Sequence, residues 1–534
     1  MHQQVRFLLL ILLASAAVAL PVSLGSADPV TIASGQISGQ AVGDDGAVRV
    51  YKGIPYAAPP VGSLRWKPPQ PVARWDGVRA CDTFGAACPQ KYQSRVPGIE
   101  LPHTDEDCLY LNVWTAARDA GEKRPVMFWI HGGANETGWG HQPVYDGQAL
   151  ARKGVVLVTI NYRLGPFGFF AHPRLSKESP HGVSGNYGIL DQIAALQWVQ
   201  RNIAAFGGDP ENVTIFGESA GAANVTALCL SPLSKGLFHR AIMQSGAFIW
   251  GAAHLRESSP VAESLESLGE RFAEEVVGHD TEDVLAALRN ASAETLLEKS
   301  NKNIRSGPVV DGWVLPDYPA IMYANGLQHD VPLLAGTNAD EGSLFVFIKE
   351  YKTVSEYRAG IREQWGKYED EVFALYPVEA RKDIGTVNAR YLTDAWFIAP
   401  TRATVRAMAN VSSNAYLYHF TRAQSTGVFK GFGAYHTAEI PYIFNTFGRD
   451  KVSDPEPSEV DQRLAEAMTS YWVRFATTGD PNGNGFPKWP VYETQTDLHL
   501  ELGDVIRVGS GLRREKCDAL DRIVEKIGRE FGEQ

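Results

Sequence analysis

Residues 206–221 read Phe-Gly-Gly-Asp-Pro-Glu-Asn-Val-Thr-Ile-Phe-Gly-Glu-Ser-Ala-Gly, and this segment carries the clearest structural signal in the chain. Positions 213–216 form a short run of β-branched and aromatic residues, which predicts a buried strand. Gly217-Glu-Ser-Ala-Gly221 follows at once, and residues 222–230 have helix-forming composition. A Gly-x-Ser-x-Gly turn between a strand and a helix lifts its serine hydroxyl above the sheet, because the glycines leave room for a tight turn. The segment therefore predicts that Ser219 is a nucleophile rather than part of an ordinary loop.

The chain on both sides of this turn alternates between short apolar runs and amphipathic stretches. Residues 191–203 have apolar side chains at spacings of three and four, which predicts a helix with one buried stripe. Apolar runs predict further strands at 125–130, 155–160, 241–244, 331–336 and 415–420. Strands that alternate with helices predict an α/β protein with a large, mostly parallel central sheet, and the serine turn specifies the α/β-hydrolase fold. We expect the helical stretches 280–299 and 355–408 to be insertions that cap the active site.

Composition and length bound the class of protein. The chain has 534 residues, of which 44% are hydrophobic, and its formal net charge is −11. This negative charge argues against a nucleic-acid-binding surface. No charge block, long linker or internal repeat marks a boundary, so we expect one catalytic domain over residues 28–534.

The N-terminus has the features of an export signal. Arg6 precedes a continuous apolar run over 7–20, and Gly25-Ser26-Ala27 supplies small residues for cleavage. The run is shorter than the ~20 residues that a membrane-spanning helix needs. We expect residues 1–27 to be a signal peptide and the mature protein to be secreted or periplasmic, without stable membrane insertion; a retained N-terminal anchor is the alternative.

Five cysteines are consistent with an oxidising compartment and leave one without a partner. Their spacing does not determine which of them pair. No Cys-x-x-Cys motif occurs, so the sequence predicts neither a zinc nor a redox site, and we expect no metal and no organic cofactor.

A serine nucleophile needs a base, and that base is usually a histidine oriented by a carboxylate. In this fold the acid and then the histidine follow the serine along the chain. His436 lies in a glycine-rich loop after the predicted strand 415–420, which is the expected position of the base, whereas His419 lies inside that strand. Asp340 and Glu341 both follow the predicted strand 331–336, and position alone does not choose between them.

The tetrahedral intermediate of ester hydrolysis carries an oxyanion, which requires preorganised N–H donors. The amide of Ala220, directly after the nucleophile, is one expected donor. His131-Gly-Gly-Ala134 follows the predicted strand 125–130, and its small residues allow backbone amides to approach the substrate. We expect the remaining donors there.

Several further motifs give the chain a family resemblance from about residue 35 to the last helix. They are Gly53-Ile-Pro-Tyr-Ala-Ala-Pro-Pro60, Glu106-Asp-Cys-Leu-Tyr-Leu-Asn112, Asn161-Tyr-Arg163, Gly185-Asn-Tyr-Gly188, Gln244-Ser-Gly246, Asp340-Glu-Gly342 and His436-Thr-Ala-Glu-Ile-Pro-Tyr-Ile-Phe444. Together with the serine turn, they make the sequence resemble type-B carboxylesterases, the group that includes bacterial para-nitrobenzyl esterases and cholinesterases.

The resemblance implies specific roles. It implies that Glu341 rather than Asp340 is the triad acid and that His436 is the base. It also implies that Gly133, Ala134 and Ala220 are the oxyanion donors and that Cys88 pairs with Cys108. Two structural ion pairs are implied, Arg65 with Glu106 and Arg163 with Asp191. Glu218 and Ser245 are implied to line or support the site.

The sequence departs from the family pattern in three places. Ala134 stands where a third glycine is usual, and Asn135-Glu136 replaces an aromatic start of the next stretch, which makes this wall more polar. No tryptophan lies between Cys88 and Cys108, so capture of a quaternary ammonium by cation–π contact is not expected there. Cholinesterase activity is therefore disfavoured.

The sequence predicts a serine carboxylesterase that acts on small-molecule esters through an acyl-enzyme on Ser219. One alternative is a lipase for longer-chain esters, because a helical cap can serve as a lid. The other is a non-catalytic adhesion or binding protein of the same fold. The presence of all three triad residues disfavours that second alternative.

Overall fold

The computed structural model describes residues 29–92, 100–247, 249–258, 263–300, 303–347, 350–424, 427–447 and 456–532. The predicted signal peptide, residues 1–27, lies outside these ranges. No helix in the described ranges is both long enough and apolar enough to cross a membrane.

The strands, in chain order, are β1 Val30–Ile32, β2 Gly35–Ser38, β3 Gln40–Val42, β4 Val48–Pro55, β5 Val78–Ala80, β6 Tyr110–Thr115, β7 Arg124–Ile130, β8 Val156–Ile160, β9 Gly208–Glu218, β10 Arg240–Gln244, β11 Ala253–His254, β12 Val309–Val310, β13 Leu333–Asn338, β14 Ala415–Phe420, β15 Leu498–Leu502 and β16 Arg507–Ser510. Eleven of them form one sheet in the order β16-β15-β14-β13-β10-β9-β7-β8-β6-β4-β3. The seven strands from β15 to β8 pair in parallel, and the strands outside them pair antiparallel. The molecule is therefore an α/β protein, as the sequence predicts, with antiparallel edges on its parallel centre.

The α-helices are α1 Gln148–Arg152, α2 Gly165–Gly168, α3 Pro173–Glu178, α4 Tyr187–Asn202, α5 Ala220–Leu230, α6 Leu265–Val277, α7 Val284–Asn290, α8 Ala293–Lys299, α9 Pro319–Ala324, α10 Gly342–Phe345, α11 Val354–Trp365, α12 Glu369–Leu375, α13 Ile384–Leu392, α14 Ala399–Ala407, α15 Ile440–Phe444, α16 Glu459–Thr478 and α17 Arg514–Gly532. A π-helix, Thr393–Ile398, joins α13 to α14. The expected helical insertions over 280–299 and 355–408 are thus present.

Helices cover both faces of the sheet, and the alternation of side chains along the strands sets which face each residue joins. Phe128 and Ile215 point to the side on which α4 and α5 pack. Their neighbours Trp129 and Phe216 point to the opposite side, where they meet α15 and α16. Burial on both faces explains the continuous apolar runs in the central strands, such as residues 126–130 of β7 and 156–158 of β8.

Strand β13 lies two residues later than the predicted strand 331–336, and two other elements differ from the sequence expectation by four residues or more. Strand β9 begins at Gly208, whereas the apolar pattern starts only at Val213; Gly208 pairs with Arg124 across a register shift in the sheet. Helix α4 begins at Tyr187, four residues before the predicted start. In both places pairing or packing with distant residues extends an element through a stretch with weak local preference.

One disulfide and two ion pairs cross-link the segments around the sheet. The disulfide joins Cys88 and Cys108, and three cysteines rather than the expected one are unpaired: Cys81, Cys229 and Cys517, all of them buried. Arg65 Nε donates to Glu106 Oε2 at 2.7 Å. Arg163 Nη2 donates to Asp191 Oδ1 at 2.7 Å, and both of those side chains are buried.

Candidate active site

Ser219 lies at the carboxyl edge of the sheet, between the last residue of β9 and the first residue of α5. Its backbone has φ 56° and ψ −125°, a strained conformation for a residue with a side chain. The flanking glycines are required sterically: a Cβ on Gly217 would lie 2.6 Å from the carbonyl carbon of Gly221, and a Cβ on Gly221 would overlap the Ile130 carbonyl. The local sequence thus forces a sharp turn that presents the serine side chain above the sheet.

The loop that carries His436 is fastened to the end of β13. Asp340 N donates to the Ala434 carbonyl at 3.0 Å, and Ala434 N donates to Asp340 Oδ2 at 2.9 Å. Asn338 Nδ2 donates to the Tyr435 carbonyl at 2.8 Å. These bonds hold the histidine above the carboxyl ends of the parallel strands, 95 residues from the acidic turn in sequence.

The two candidate acids have different partners. Glu341 Oε2 lies 2.6 Å from His436 Nδ1, and the Glu341 side chain is fully buried. Its other oxygen accepts from Asn338 N at 2.7 Å. Asp340 instead accepts from the backbone of the histidine loop, as described above. Of the two, Glu341 is therefore the carboxylate in a position to orient the imidazole.

The second imidazole nitrogen faces the serine turn. His436 Nε2 lies 3.1 Å from Oε1 of Glu218, the residue directly before Ser219. The structure brings His436, Glu341 and the serine turn together, but among the described side chains it has no hydrogen bond between the Ser219 hydroxyl and His436. Catalytic hydrogen bonds of this kind are commonly long without substrate and shorten when substrate binds.

The charge environment of His436 is dominated by buried carboxylates. Burial opposes the imidazolium, but Glu218 and Glu341 outweigh it and raise the pKa of His436 to about 9. Burial also raises the pKa of Glu218 well above its ordinary value, while the charge of His436 lowers it. The site therefore stabilises a protonated imidazole, which is the species formed when serine attacks an ester.

Glu439 is a further buried carboxylate of the site, and its sequence context predicts no role for it. Its Oε1 accepts from Gln244 Nε2 at 3.1 Å, and its Oε2 accepts from Asn338 Nδ2 at 2.7 Å. It thereby links the ends of β10 and β13. The sequence signal for Glu439 is its place three residues after His436 in the motif 436–444. Position alone does not reveal that its carboxyl group reaches the strand ends.

Residues 131–135, which we call the oxyanion loop, pack against the serine turn. A Cβ on Gly132 would lie 3.0 Å from the Ser219 Cβ, so only glycine permits this approach. Gly133 and Ala134 are solvent-exposed and have φ of 105° and 58°. Ala134 thus adopts a left-handed conformation that favours glycine. In the described backbone, the amides of Gly133, Ala134 and Ala220 have no carbonyl acceptor, which leaves them available to a ligand.

Aromatic side chains form the wall beside the histidine. The ring centroid of Phe397 lies 4.8 Å from that of His436, and the ring of Phe345 lies 5.0 Å away in an edge-on orientation. Phe397 belongs to the π-helix Thr393–Ile398, whose wider turn is a frequent feature of functional sites. The imidazole therefore has apolar side chains on this side.

The described residues contain no cluster of three or more His, Cys, Asp or Glu side chains arranged to hold a metal ion. The groups gathered at the site are instead a hydroxyl, an imidazole, carboxylates and free amides. Such a set is suited to acyl transfer with proton shuttling.

Comparison with known proteins gives consistent results. Residues 26–520 match the model of the carboxylesterase family. The chain is 40% identical to fumonisin B1 esterase of Sphingopyxis macrogoltabida over 93% of this chain and 91% of that protein. It is 37% identical to para-nitrobenzyl esterase of Bacillus subtilis over 92% and 98% of the two chains.

Solved structures show the same relationship. A PNB esterase structure superposes with a TM-score of 0.78 at 34% identity, covering 92% of this chain and 99% of the other. A thermophilic PNB esterase gives a TM-score of 0.79 at the same identity and coverage. The chain therefore has the α/β-hydrolase fold, belongs to the carboxylesterase family and is a serine carboxylesterase, a hydrolase of carboxylic esters.

Proposed function

We propose that Ser219, His436 and Glu341 form the catalytic triad of this esterase. In the first step the Ser219 hydroxyl attacks the ester carbonyl while His436 accepts its proton. Glu341 holds the imidazole by its Nδ1 and stabilises the imidazolium that forms. The amides of Gly133, Ala134 and Ala220 bind the oxyanion of the tetrahedral intermediate.

Collapse of that intermediate breaks the ester C–O bond. His436 gives its proton to the leaving alcohol, and the acyl group remains on Ser219. Water then attacks the acyl-enzyme with His436 again as base, which releases the carboxylic acid and restores the serine. No metal or organic cofactor takes part in these steps.

One observation carries the proposal. The imidazole of His436 contacts the buried Glu341 carboxylate at 2.6 Å through Nδ1 and presents Nε2 to the serine turn, 3.1 Å from Glu218. A histidine that is held by a carboxylate through one nitrogen and faces the turn carrying the serine with the other supports general-base activation of that serine. The unpartnered amides of the oxyanion loop and of Ala220 support the same step.

Turnover of a para-nitrophenyl ester tests the proposal. Ser219→Ala should lower kcat by about 10⁶-fold, since the acyl-enzyme no longer forms. The matched control is Ser176→Ala, which truncates a buried serine on α3 that hydrogen-bonds to the Ser184 hydroxyl at 2.8 Å. Turnover by Ser219→Ala at the rate of the Ser176→Ala control would overturn the proposal.

The relatives suggest which esters to try. Para-nitrobenzyl esters and fumonisin B1 are candidate substrates because the similar proteins carry those names. A series of acyl chain lengths belongs in the same panel. A preference for short soluble esters, with no rise in hydrolysis rate at an oil interface, would distinguish an esterase from a lipase.

We further propose that the protein is exported and that cleavage removes residues 1–27. The sequence pattern of that segment and the disulfide between Cys88 and Cys108 support export, because disulfides persist in oxidising compartments. Mass determination of the protein recovered from culture medium or periplasm should give a mature chain beginning near Asp28. Recovery of the full 534-residue chain from the cytoplasm would contradict export.

A further inference from the structure

Two consecutive residues of the oxyanion loop, Ala134 and Asn135, have left-handed backbone conformations, with φ of 58° and 57°. A side chain at such a φ crowds the neighbouring carbonyl, so a non-glycine residue stays there only when its surroundings enforce it. Asparagine tolerates the conformation better than alanine does. The directions of the Gly133 and Ala134 amides therefore depend on contacts that fix the end of the loop.

The side chain of Asn135 supplies one such contact. It is buried, with 3% of its surface exposed, although the residues on either side of it are exposed. Its Oδ1 accepts a hydrogen bond from Asn224 Nδ2 at 2.8 Å, and its carbonyl accepts from Gly165 N at 2.7 Å. The loop is thus fastened immediately after Ala134.

Asn224 lies on α5, the helix that begins directly after Ser219, and is completely buried. Its Oδ1 has no hydrogen-bond partner among the described residues, so its amide group acts here only as a donor. The other end of the oxyanion loop is held separately, because the Tyr162 hydroxyl donates to the His131 carbonyl at 2.8 Å. Asn224 therefore restrains the Asn135 end of the loop from the nucleophile helix.

We propose that Asn224 is a positioning residue for the oxyanion hole. By holding Asn135, it keeps Ala134 in its left-handed conformation and fixes the Gly133 and Ala134 amides relative to Ser219, which precedes the same helix. This inference rests on the proposed function of that loop. It explains how alanine occupies a position whose backbone favours glycine, since the hydrogen bond from the helix supplies the restraint.

Two variants remove the hydrogen bond from opposite sides, Asn224→Ala and Asn135→Gly. Glycine accepts φ 57° without strain, so Asn135→Gly should fold even if the buried truncation in Asn224→Ala prevents folding. With para-nitrophenyl acetate, each variant should lower kcat by at least about tenfold and leave KM within about twofold, because only transition-state binding is lost. Affinity for an aryl trifluoromethyl ketone, which forms an anionic adduct with serine, should fall by the same factor as kcat.

Thr226→Val is the matched control, because Thr226 is buried on the same helix and donates to the Ala222 carbonyl. It should change the melting temperature without changing kcat or ketone affinity. Glycine at position 134 widens the conformational range of the loop. Adding Ala134→Gly to Asn224→Ala should therefore lower kcat below that of Asn224→Ala alone.

Wild-type kcat and ketone affinity in a folded Asn135→Gly or Asn224→Ala protein would overturn the inference. A loss of kcat with no loss of ketone affinity would overturn it as well. Neither result affects the role of Ser219, which the Ser219→Ala measurement decides separately.

Discussion

Glu218 is the residue whose position next to the nucleophile matters most for pH dependence. Its carboxyl group faces His436 Nε2 at 3.1 Å. Among the carboxylate charges that raise the pKa of His436, that of Glu218 has the largest effect. His436 acts as a base only when it is neutral, so kcat/KM should increase with pH through this raised pKa.

Glu218→Gln should shift the rising limb of the kcat/KM profile to lower pH, because it removes a negative charge that stabilises the imidazolium. The pH dependence of para-nitrophenyl ester hydrolysis checks this. Glu439→Gln is the control: Glu439 raises the His436 pKa less than Glu218 does, so its shift should be smaller. An unchanged midpoint, or a shift to higher pH, would refute the role given to Glu218.

The residues of the site differ in how far the sequence alone predicts them. Ser219 is recognisable because five adjacent residues and their flanking elements define the turn. Asp340 and Glu341 are not distinguishable by position, since both follow β13. The structure separates them, because Asp340 contacts the Ala434 amide, 94 residues away, and Glu341 contacts the His436 imidazole, 95 residues away. The bond between Asn135 and Asn224 spans 89 residues and has no local signal. The catalytic assignment of these residues remains a prediction for experiment.

At the scale of elements, the π-helix Thr393–Ile398 shapes the apolar wall of the site. It holds Phe397 against His436, and Phe345 from α10 packs against both rings. Phe397 is 7% exposed, so its ring occupies space that a smaller side chain would open. The size of ester that fits beside the imidazole should depend on this residue.

Phe397→Ala should raise the ratio of kcat/KM for a bulky ester to that for an acetate by about tenfold, as expected for relief of a steric limit worth a few methylene groups. It should also lower the free energy of unfolding by about 3 kcal/mol. Phe272→Ala, which truncates a fully buried ring in another cluster, should match the stability loss without changing the ratio. Equal ratios in the two variants would exclude Phe397 as a determinant of substrate size.

Element boundaries illustrate why sequence patterns succeed unevenly. The predicted strand 415–420 has the same bounds in the structure because every residue is buried and apolar or aromatic except His419. Strand β9 extends back through Asp209-Pro-Glu-Asn212, which locally favours a turn, because β7 offers a partner for Gly208. Local preference decides an element where burial is uniform, and distant pairing decides it where the pattern is weak.

At the scale of the whole molecule, two buried histidines lie on neighbouring strands of the sheet. His419 on β14 and His499 on β15 have ring centroids 6.2 Å apart, and neither Nδ1 has a hydrogen-bond partner in the described structure. Burial, with the nearby His499 and Arg513, lowers the pKa of His419 to about 3. Burial likewise lowers the pKa of His499.

A histidine with a lowered pKa in the folded state binds its proton more strongly when the chain unfolds, so stability falls as pH drops below ~6.5, the unfolded value. Between pH 6 and pH 4, the wild type should lose about 1.4 kcal/mol of unfolding free energy per pH unit more than His419→Gln. Urea denaturation at a series of pH values measures this difference. His279→Gln, which replaces an exposed histidine, should follow the wild-type slope. If the unfolding free energy of His419→Gln and of wild type had the same slope against pH, the lowered pKa of His419 would be contradicted.

The central claim concerns one oxygen atom, the hydroxyl of Ser219, and covalent labelling tests it most directly. Incubation of the protein with an aryl organophosphonate, followed by mass spectrometry of its peptides, should show one adduct per chain on Ser219. The adduct should form in step with loss of esterase activity and should be absent from His436→Ala. Complete inactivation with the label on another residue, or with Ser219 unmodified, would contradict the account.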